Sequence, residues 1–331
     1  SFIAKTIANR FNKPPARLTK LVKDYTAFDT SWENGKLVYE YADDFAGKRH
    51  GTSILTTTKA LQDQYTRDFK DIKPLKGKGS YICNLDDRSS ADQAPCLFST
   101  KLKKECWDCN RCDYYEARNN SISSKISVEN YSSFFYKPDH LKHRQLLVCD
   151  EASELENIIV SRFSCNIEIG RLNKYGFNLP HSADRKRFFD SLYKLQVKLE
   201  DRYVEILRML DKHADTVGDA IKKEYKFISD LKGDLSLVID TWRQSEYIIN
   251  RTYIRNKQYV QLIPKKVDTL AQHIFKYADN IILMSATFVD YKLVMRNLGI
   301  PESEYKYIDL PTSFDSRKSP ILFGNFHLNK K

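Results

Sequence analysis

Two groups of residues in this chain have types and spacings that suit chemistry. The first is the carboxylate pair Asp150-Glu151, which follows the apolar run Leu146-Leu147-Val148-Cys149 and precedes the small residues Ala152-Ser153. Adjacent carboxylates at a strand tip suit nucleotide hydrolysis: one can hold Mg²⁺, usually through water, and the next can orient the attacking water. The same order of residues also describes a strand running into an acidic helix N-terminus, which the helix dipole favours by itself. The second group is a set of cysteines. Five of the seven, Cys83, Cys96, Cys106, Cys109 and Cys112, fall between positions 83 and 112. Such crowding in a long chain without a signal-peptide pattern points to a metal centre rather than disulfides. The Cys-x₂-Cys-x₂-Cys spacing suits structural zinc and an iron–sulphur cluster alike, since both take four thiolates. Cys149 lies inside an apolar strand and Cys165 stands alone, so both read as buried hydrophobes.

These groups need elements to hold them. Leu146–Cys149 is apolar without alternation and too short for a helix, which predicts a buried parallel strand. The carboxyl end of such a strand is where open α/β sheets bind ligands. Ser53-Ile54-Leu55-Thr56-Thr57-Thr58 predicts a second strand ending in hydroxyls, followed by a helix from Lys59 through Gln62 and Tyr65. Hydroxyls and amides at that turn serve either as phosphate ligands or as helix caps. Ile281-Ile282-Leu283-Met284 predicts another buried strand, tipped by Ser285-Ala286-Thr287, and Ile126–Tyr131 a fourth. Between Lys73 and Asn120 the composition shifts to Lys, Gly, Ser, Asp and Cys, the mark of a small loop-rich module. Residues 12–50 are polar and predict loops with one hairpin near Trp32-Glu33-Asn34-Gly35. Beyond Glu154, the stripe Leu192, Leu195, Leu199, Tyr203, Ile206 and Leu210 predicts a long helix, packed in a domain or in a coiled coil. Further helices are expected near Thr216–Leu231 and Leu235–Trp242, then a hairpin of Tyr247–Ile254 with Gln258–Ile263. At the ends, Phe2, Ile3, Ile7 and Phe11 predict an amphipathic helix behind Ser1, and Pro320–Phe323 a last short strand.

Composition narrows the partners. The chain has 331 residues, 54 basic against 43 acidic, for a net charge of +11, which favours a polyanion such as nucleic acid. With 41% hydrophobic residues it can build two or three domains. It has no apolar run long enough to cross a membrane, and its cysteine usage suggests a reducing cytoplasmic or nuclear setting. Lys73, Lys76, Lys78, Lys101, Lys103, Lys104 and Arg111 are interleaved with Tyr81, Trp107, Tyr114 and Tyr115 in the cysteine module. Basic residues among aromatics suit a single strand, with phosphates neutralised and bases stacked.

Taken in order, these pieces resemble the first motor domain of an iron–sulphur superfamily-two helicase of the XPD/DinG type. Leu55–Tyr65 resembles the family's motif after the P-loop, Val148–Ser153 its DEAH box with Ser153 in place of histidine, and Leu283–Thr287 its Ser-Ala-Thr motif. Cys112-Asp113-Tyr114-Tyr115-Glu116-Ala117-Arg118, followed by Asn130-Tyr131, is similar to the segment with the family's last cluster cysteine. The resemblance implies an α/β fold: a RecA-like parallel-sheet motor domain with a small cysteine-rich metal module and a helical, Arch-like insertion. It divides the chain into motor residues 1–72, a cluster module at 73–125, the DEAH-like strand at 126–160, the helical insertion at 161–270, and motor residues 271–331. It further implies an ATP-dependent helicase moving 5′→3′ on single-stranded or forked DNA, with ATP, Mg²⁺ and a [4Fe–4S] cluster as cofactors.

Residue roles follow from the same resemblance. Asp150 would hold Mg²⁺, Glu151 would polarise water, Ser1 would complete the metal shell, and Ser285 and Thr287 would relay the state of the nucleotide. Cys83 and Cys112 would be the first and fourth cluster ligands, with Cys96 and Cys106 favoured over Cys109 for the middle two. The expected DNA path runs from Lys76, Lys78, Tyr81 and Lys104 toward Thr57 and Gln62. The chain departs from the family pattern in four ways: no Gly-Lys precedes Ser1, no second motor domain is present, Ser153 replaces histidine, and about forty residues separate the first helix from Thr56. A non-catalytic nucleic-acid-binding protein with a zinc module is the alternative these residues leave open.

Overall fold

The computed structural model describes residues 29–33, 36–40, 51–108, 112–179, 184–212, 219–288 and 290–310. Ser1 and the helix expected behind it, Cys109, Arg111 and the strand expected at Pro320–Phe323 lie outside them. The described chain opens with an antiparallel hairpin, β1 (Asp29–Glu33) with β2 (Lys36–Glu40), at the position where the sequence predicts one.

The centre is a parallel sheet, and its strands form where apolar or β-branched runs meet turn residues. β3 (Thr52–Thr56) leads into helix α1 (Lys59–Asp68), and β4 (Lys73–Leu75) follows. A cysteine-rich segment comes next, with the short antiparallel pair β5 (Ile82–Cys83) and β6 (Asp86–Ser90), then α2 (Thr100–Asp108) and α3 (Asp113–Ser123). β7 (Ile126–Asn130), α4 (Tyr131–Tyr136), β8 (Arg144–Asp150) and α5 (Leu155–Phe163) return the chain to the sheet. A second lobe holds β9 (Cys165–Glu168), α6 (Ile169–Lys174), α7 (Arg185–Lys212), α8 (Asp219–Ser245), β10 (Tyr247–Ile254) and β11 (Lys257–Pro264). After α9 (Asp268–Phe275), β12 (Ala278–Met284) rejoins the sheet and α10 (Tyr291–Asn297) follows it.

The five sheet strands run in the order β12-β8-β3-β7-β4, and every neighbouring pair is parallel. This is the α/β class that the sequence predicts, built on a five-stranded parallel sheet. Alternate residues of each strand face opposite ways. Leu55, Leu147 and Cys149 pack on one side against Tyr131, Phe134, Leu155, Ile159, Leu270 and Ile274. On the other side, Ile54, Val128, Leu146 and Val148 pack against Tyr65 and Ile72. Strand β4 belongs to the parallel sheet: Lys73–Leu75 pairs with Ser127–Glu129 of β7, so the sheet extends past the expected start of the cysteine module at 73.

The second lobe has its own core. The stripe on α7 (Leu192, Leu195, Leu199, Ile206, Leu210) meets Ile228, Leu231, Leu235 and Val238 of α8. Ion pairs Arg202–Glu224 at 2.8 Å and Lys232–Glu200 at 2.7 Å show that the two helices run antiparallel. The expected junctions at 160/161 and 270/271 fall inside α5 and α9, so continuous helices join the lobe to the sheet. The two separate helices expected near 216–231 and 235–242 are one, α8. The sequence suggests a break at Lys232-Gly233-Asp234, but burial of Leu231 and Leu235 on either side holds the helix through the glycine. A Cβ at Gly233 would meet nothing within 4 Å, so the glycine answers no steric need. Gly233→Ala should therefore stabilise the protein by about 0.5–1 kcal/mol, read as a higher urea midpoint at unchanged slope.

Candidate functional site

The site lies at the carboxyl edge of the sheet, where parallel pairing brings strand ends level. Asp150 ends β8 beside Met284, the last residue of β12, and Leu55 of β3 pairs with Cys149. The turns after three adjacent strands therefore open on one side: Thr57 after β3, Glu151 after β8 and Ser285 after β12.

Asp150 is held at three points. Its Oδ1 accepts the backbone N–H of Glu151 at 3.0 Å, its Oδ2 accepts the Tyr65 hydroxyl at 2.9 Å, and its carbonyl accepts the Tyr131 hydroxyl at 3.0 Å. Burial, and then the charge of Asp150, pushes the Tyr65 phenol far above its ordinary pKa, so it donates as a neutral phenol. Glu151 adopts the left-handed conformation, φ 55° and ψ 43°, which costs a non-glycine residue about 1–2 kcal/mol. Its carbonyl accepts the N–H of Glu154 at 2.9 Å, closing the turn that leads into α5. A strained residue fixed on both sides is the usual state of a group presented to a ligand. The carboxylate and hydroxyl oxygens gathered here are hard donors that fit Mg²⁺ by type, and the Asp150 carboxylate keeps acceptor sites after its two side-chain hydrogen bonds.

The neighbouring tip is tied to this one. The Ser285 hydroxyl donates to the Ser153 hydroxyl at 3.1 Å and accepts the N–H of Thr287 at 3.2 Å. Ser153, at the position where the resembled motif has histidine, thus bridges the turns after β8 and β12. Thr287 itself is exposed.

The expected nucleic-acid contacts divide. Thr57 is half-buried in the turn before α1, while Thr58 uses its hydroxyl to cap the helix at Leu61 N, 3.3 Å away. Gln62 is a correction: it is fully buried and its Nε2 donates to the Leu75 carbonyl at 3.1 Å, anchoring α1 to β4. Lys76 is paired with Asp63 at 2.5 Å. Tyr81 is a packing residue, its ring edge-on to Tyr114 at 5.7 Å and its hydroxyl accepting Lys76 N at 3.0 Å. Lys78 lies over the Tyr114 ring at 5.3 Å, and Lys104 is exposed on α2. Tyr65 and Tyr131 were not foreseen; no local pattern shows that they reach Asp150, which is 85 and 19 residues away.

The described cysteines of the module approach one another. Cys83, Cys96 and Cys106 are buried in one small cluster with Ala94, edged by Leu102, and Cys112 caps α3 beside them. Burial, then the charges of Cys96, Cys112 and Cys83, pushes the Cys106 thiol up to about 12, and it donates a hydrogen bond to Cys96. Burial and the charges of Cys83 and Cys112 also raise Cys96. Among the described residues no three His, Cys, Asp or Glu side chains close into a metal cage. Both statements hold, because charge reaches farther than coordination. The thiols fit a thiolate-binding centre by type and grouping, not by a closed geometry. Cys149 and Cys165 are buried hydrophobes at 0% and 1% exposure.

No family model matches the chain, and no curated protein matches it. One similar solved structure is a truncated XPD, at 12% identity and a TM-score of 0.42, the match covering 89% of this chain and 98% of that one. Among the described residues no helix is long and apolar enough to cross a membrane.

The raised thiol gives a direct prediction. In metal-free protein at pH 8, native Cys106 should alkylate at least on the order of a hundredfold more slowly than after unfolding, because only the thiolate reacts. Peptide mapping after iodoacetamide treatment reads the ratio, and equal rates would place Cys106 on the surface.

Proposed function

We propose that this chain is the nucleotide-binding part of an ATP-dependent DNA helicase that moves 5′→3′ on single-stranded DNA. The observation that carries the reading is the Asp150-Glu151 turn, an aspartate held by two hydrogen bonds to its carboxylate and one to its backbone carbonyl, followed by a strained left-handed glutamate, at the carboxyl edge of a parallel sheet. In this reading Asp150 orients toward Mg²⁺ through water, and Glu151 aligns the water that attacks the γ-phosphate. Bound Mg²⁺ neutralises charge that develops on the phosphates. The Ser285–Ser153 hydrogen bond carries the state of this edge to the next strand tip, and Thr287 is exposed for contact beyond it. Ser1, outside the described residues, is proposed as a further metal-side hydroxyl.

Cys83, Cys96, Cys106 and Cys112 are proposed to hold a [4Fe–4S] cluster, with Cys109 the alternative ligand. Thr57, Lys78 and Lys104 are proposed to contact a single strand, with lysines reading phosphate and so little sequence preference. The module is proposed to act where a duplex parts.

Glu151→Gln in the full-length protein should abolish DNA-stimulated ATP hydrolysis while leaving nucleotide binding largely intact. Turnover at the wild-type rate would remove Glu151 from the chemistry. Anaerobically purified protein should be brown with about four irons per chain. Cys112→Ser should lose the colour, and Cys165→Ser should keep it. Stoichiometric zinc without iron would instead assign the module to a structural zinc site and favour the non-catalytic reading.

A further inference from the structure

We propose that Tyr65 is a positioning residue, coupling the turn at the head of α1 to the orientation of the Asp150 carboxylate. This deepens the assignment of Asp150 to the Mg²⁺ side of the site and rests on it. Helix α1 touches three strand ends at three points. Thr58 caps it after β3, Gln62 Nε2 holds the Leu75 carbonyl at the end of β4 at 3.1 Å, and the Tyr65 hydroxyl holds Asp150 Oδ2 at the end of β8 at 2.9 Å. Tyr65 and Gln62 are 1% and 0% exposed, so neither contact is traded with solvent. From Thr58 to Tyr65 the helix rises about 10 Å, a rigid span between the half-buried Thr57 and the carboxylate.

The remaining contacts of Asp150 explain why this one matters. Its Oδ1 accepts the N–H of the next residue, and its carbonyl accepts Tyr131 from α4. The first ties the carboxylate to its own turn, and the second fixes the backbone of the turn. Tyr65 is the donor from another element to a side-chain oxygen, so it sets the plane of the carboxylate and thus where the free acceptor sites point. Donors behind a metal ligand orient it, and their loss costs metal affinity about 10- to 100-fold; behind a carboxylate that holds the ion through water the cost is expected at the lower end of that range. A ligand that shifts the head of α1 would then move the Tyr65 hydroxyl and the carboxylate together. The ring lies among Ile54, Ile72 and Val128, a core that phenylalanine fills equally well.

The test is Tyr65→Phe in the full-length protein, with Mn²⁺ and a non-hydrolysable ATP analogue as probe. Electron paramagnetic resonance reads free Mn²⁺, with and without a thymidine homo-oligomer. The variant should bind Mn²⁺ about 10-fold more weakly. The oligomer should change the wild-type affinity and leave the variant's unchanged. Wild-type values in the variant, in both respects, would overturn the role of Tyr65 while the assignment of Asp150 stands. Failure of the wild-type protein to bind Mn²⁺ with the analogue would overturn both. Hydrogen exchange on the wild-type protein covers a variant that does not fold. Binding of the Mn²⁺ complex should protect the amides of the last turn of α1, and exchange there that ignores the complex contradicts the coupling.

Discussion

A strand paired on both sides and covered on both faces has no place along its length for an unpaired charge. Leu146, Leu147, Val148 and Cys149 of β8 are all 0–1% exposed, so the polar groups of that strand are confined to its ends. Arg144 stands at one end and Asp150 at the other. Burying the four side chains is worth about 1.5–3 kcal/mol for each larger one, enough to fix β8 as the frame on which both ends are mounted. The carboxylate edge, the turn of Glu151 and the approach of Tyr65 and Tyr131 all depend on that fixed strand.

The opposite end of β8 meets the cysteine module. Arg144 is 2% exposed, and its guanidinium donates to the carbonyls of Ser121 and Ile122, both at 2.9 Å. These carbonyls end α3, where a cation also meets the negative end of the helix dipole. Cys112 caps the other end of α3. One helix and one strand thus run from the thiol cluster to the carboxylate through a buried guanidinium. A buried charge pair, Lys137 at the end of α4 with Glu129 of β7, lies at 2.5 Å, with Ser53 also donating to Glu129 at 2.9 Å. Burial draws the Lys137 amine below its ordinary pKa even beside that carboxylate. Such a pair is weak evidence for stability, but breaking it would leave an unpaired buried charge.

Much of this frame was legible in the sequence. Unbroken apolar runs at 146–149 and 281–284 read as buried parallel strands; both are parallel strands, but Ile281–Met284 is only half-buried because β12 has one neighbour and lies at the sheet edge. The α7 stripe read as a packed helix because its period is local. What the sequence hid was set by tertiary contact. Gln62 has the polarity of a surface residue, yet a backbone carbonyl 13 positions away takes it into the core. Tyr81 looked like a stacking platform and is instead engaged by Tyr114 and Lys76 N. Gly233 suggested a helix break that side-chain burial overrides. Tyr65 lay inside a quoted motif without any sign that its hydroxyl reached Asp150, since proximity across strands is not encoded in spacing.

The central claim is that the turn after β8 is the catalytic edge of a nucleotide site. Its most direct test is a crystal structure of the full-length protein with Mg²⁺ and a non-hydrolysable ATP analogue. Nucleotide and Mg²⁺ should lie at the turn after β8, where Asp150 would hold the metal side and Glu151 would face the γ-phosphate. Nucleotide and metal bound elsewhere, with Asp150 and Glu151 facing only solvent, would contradict it.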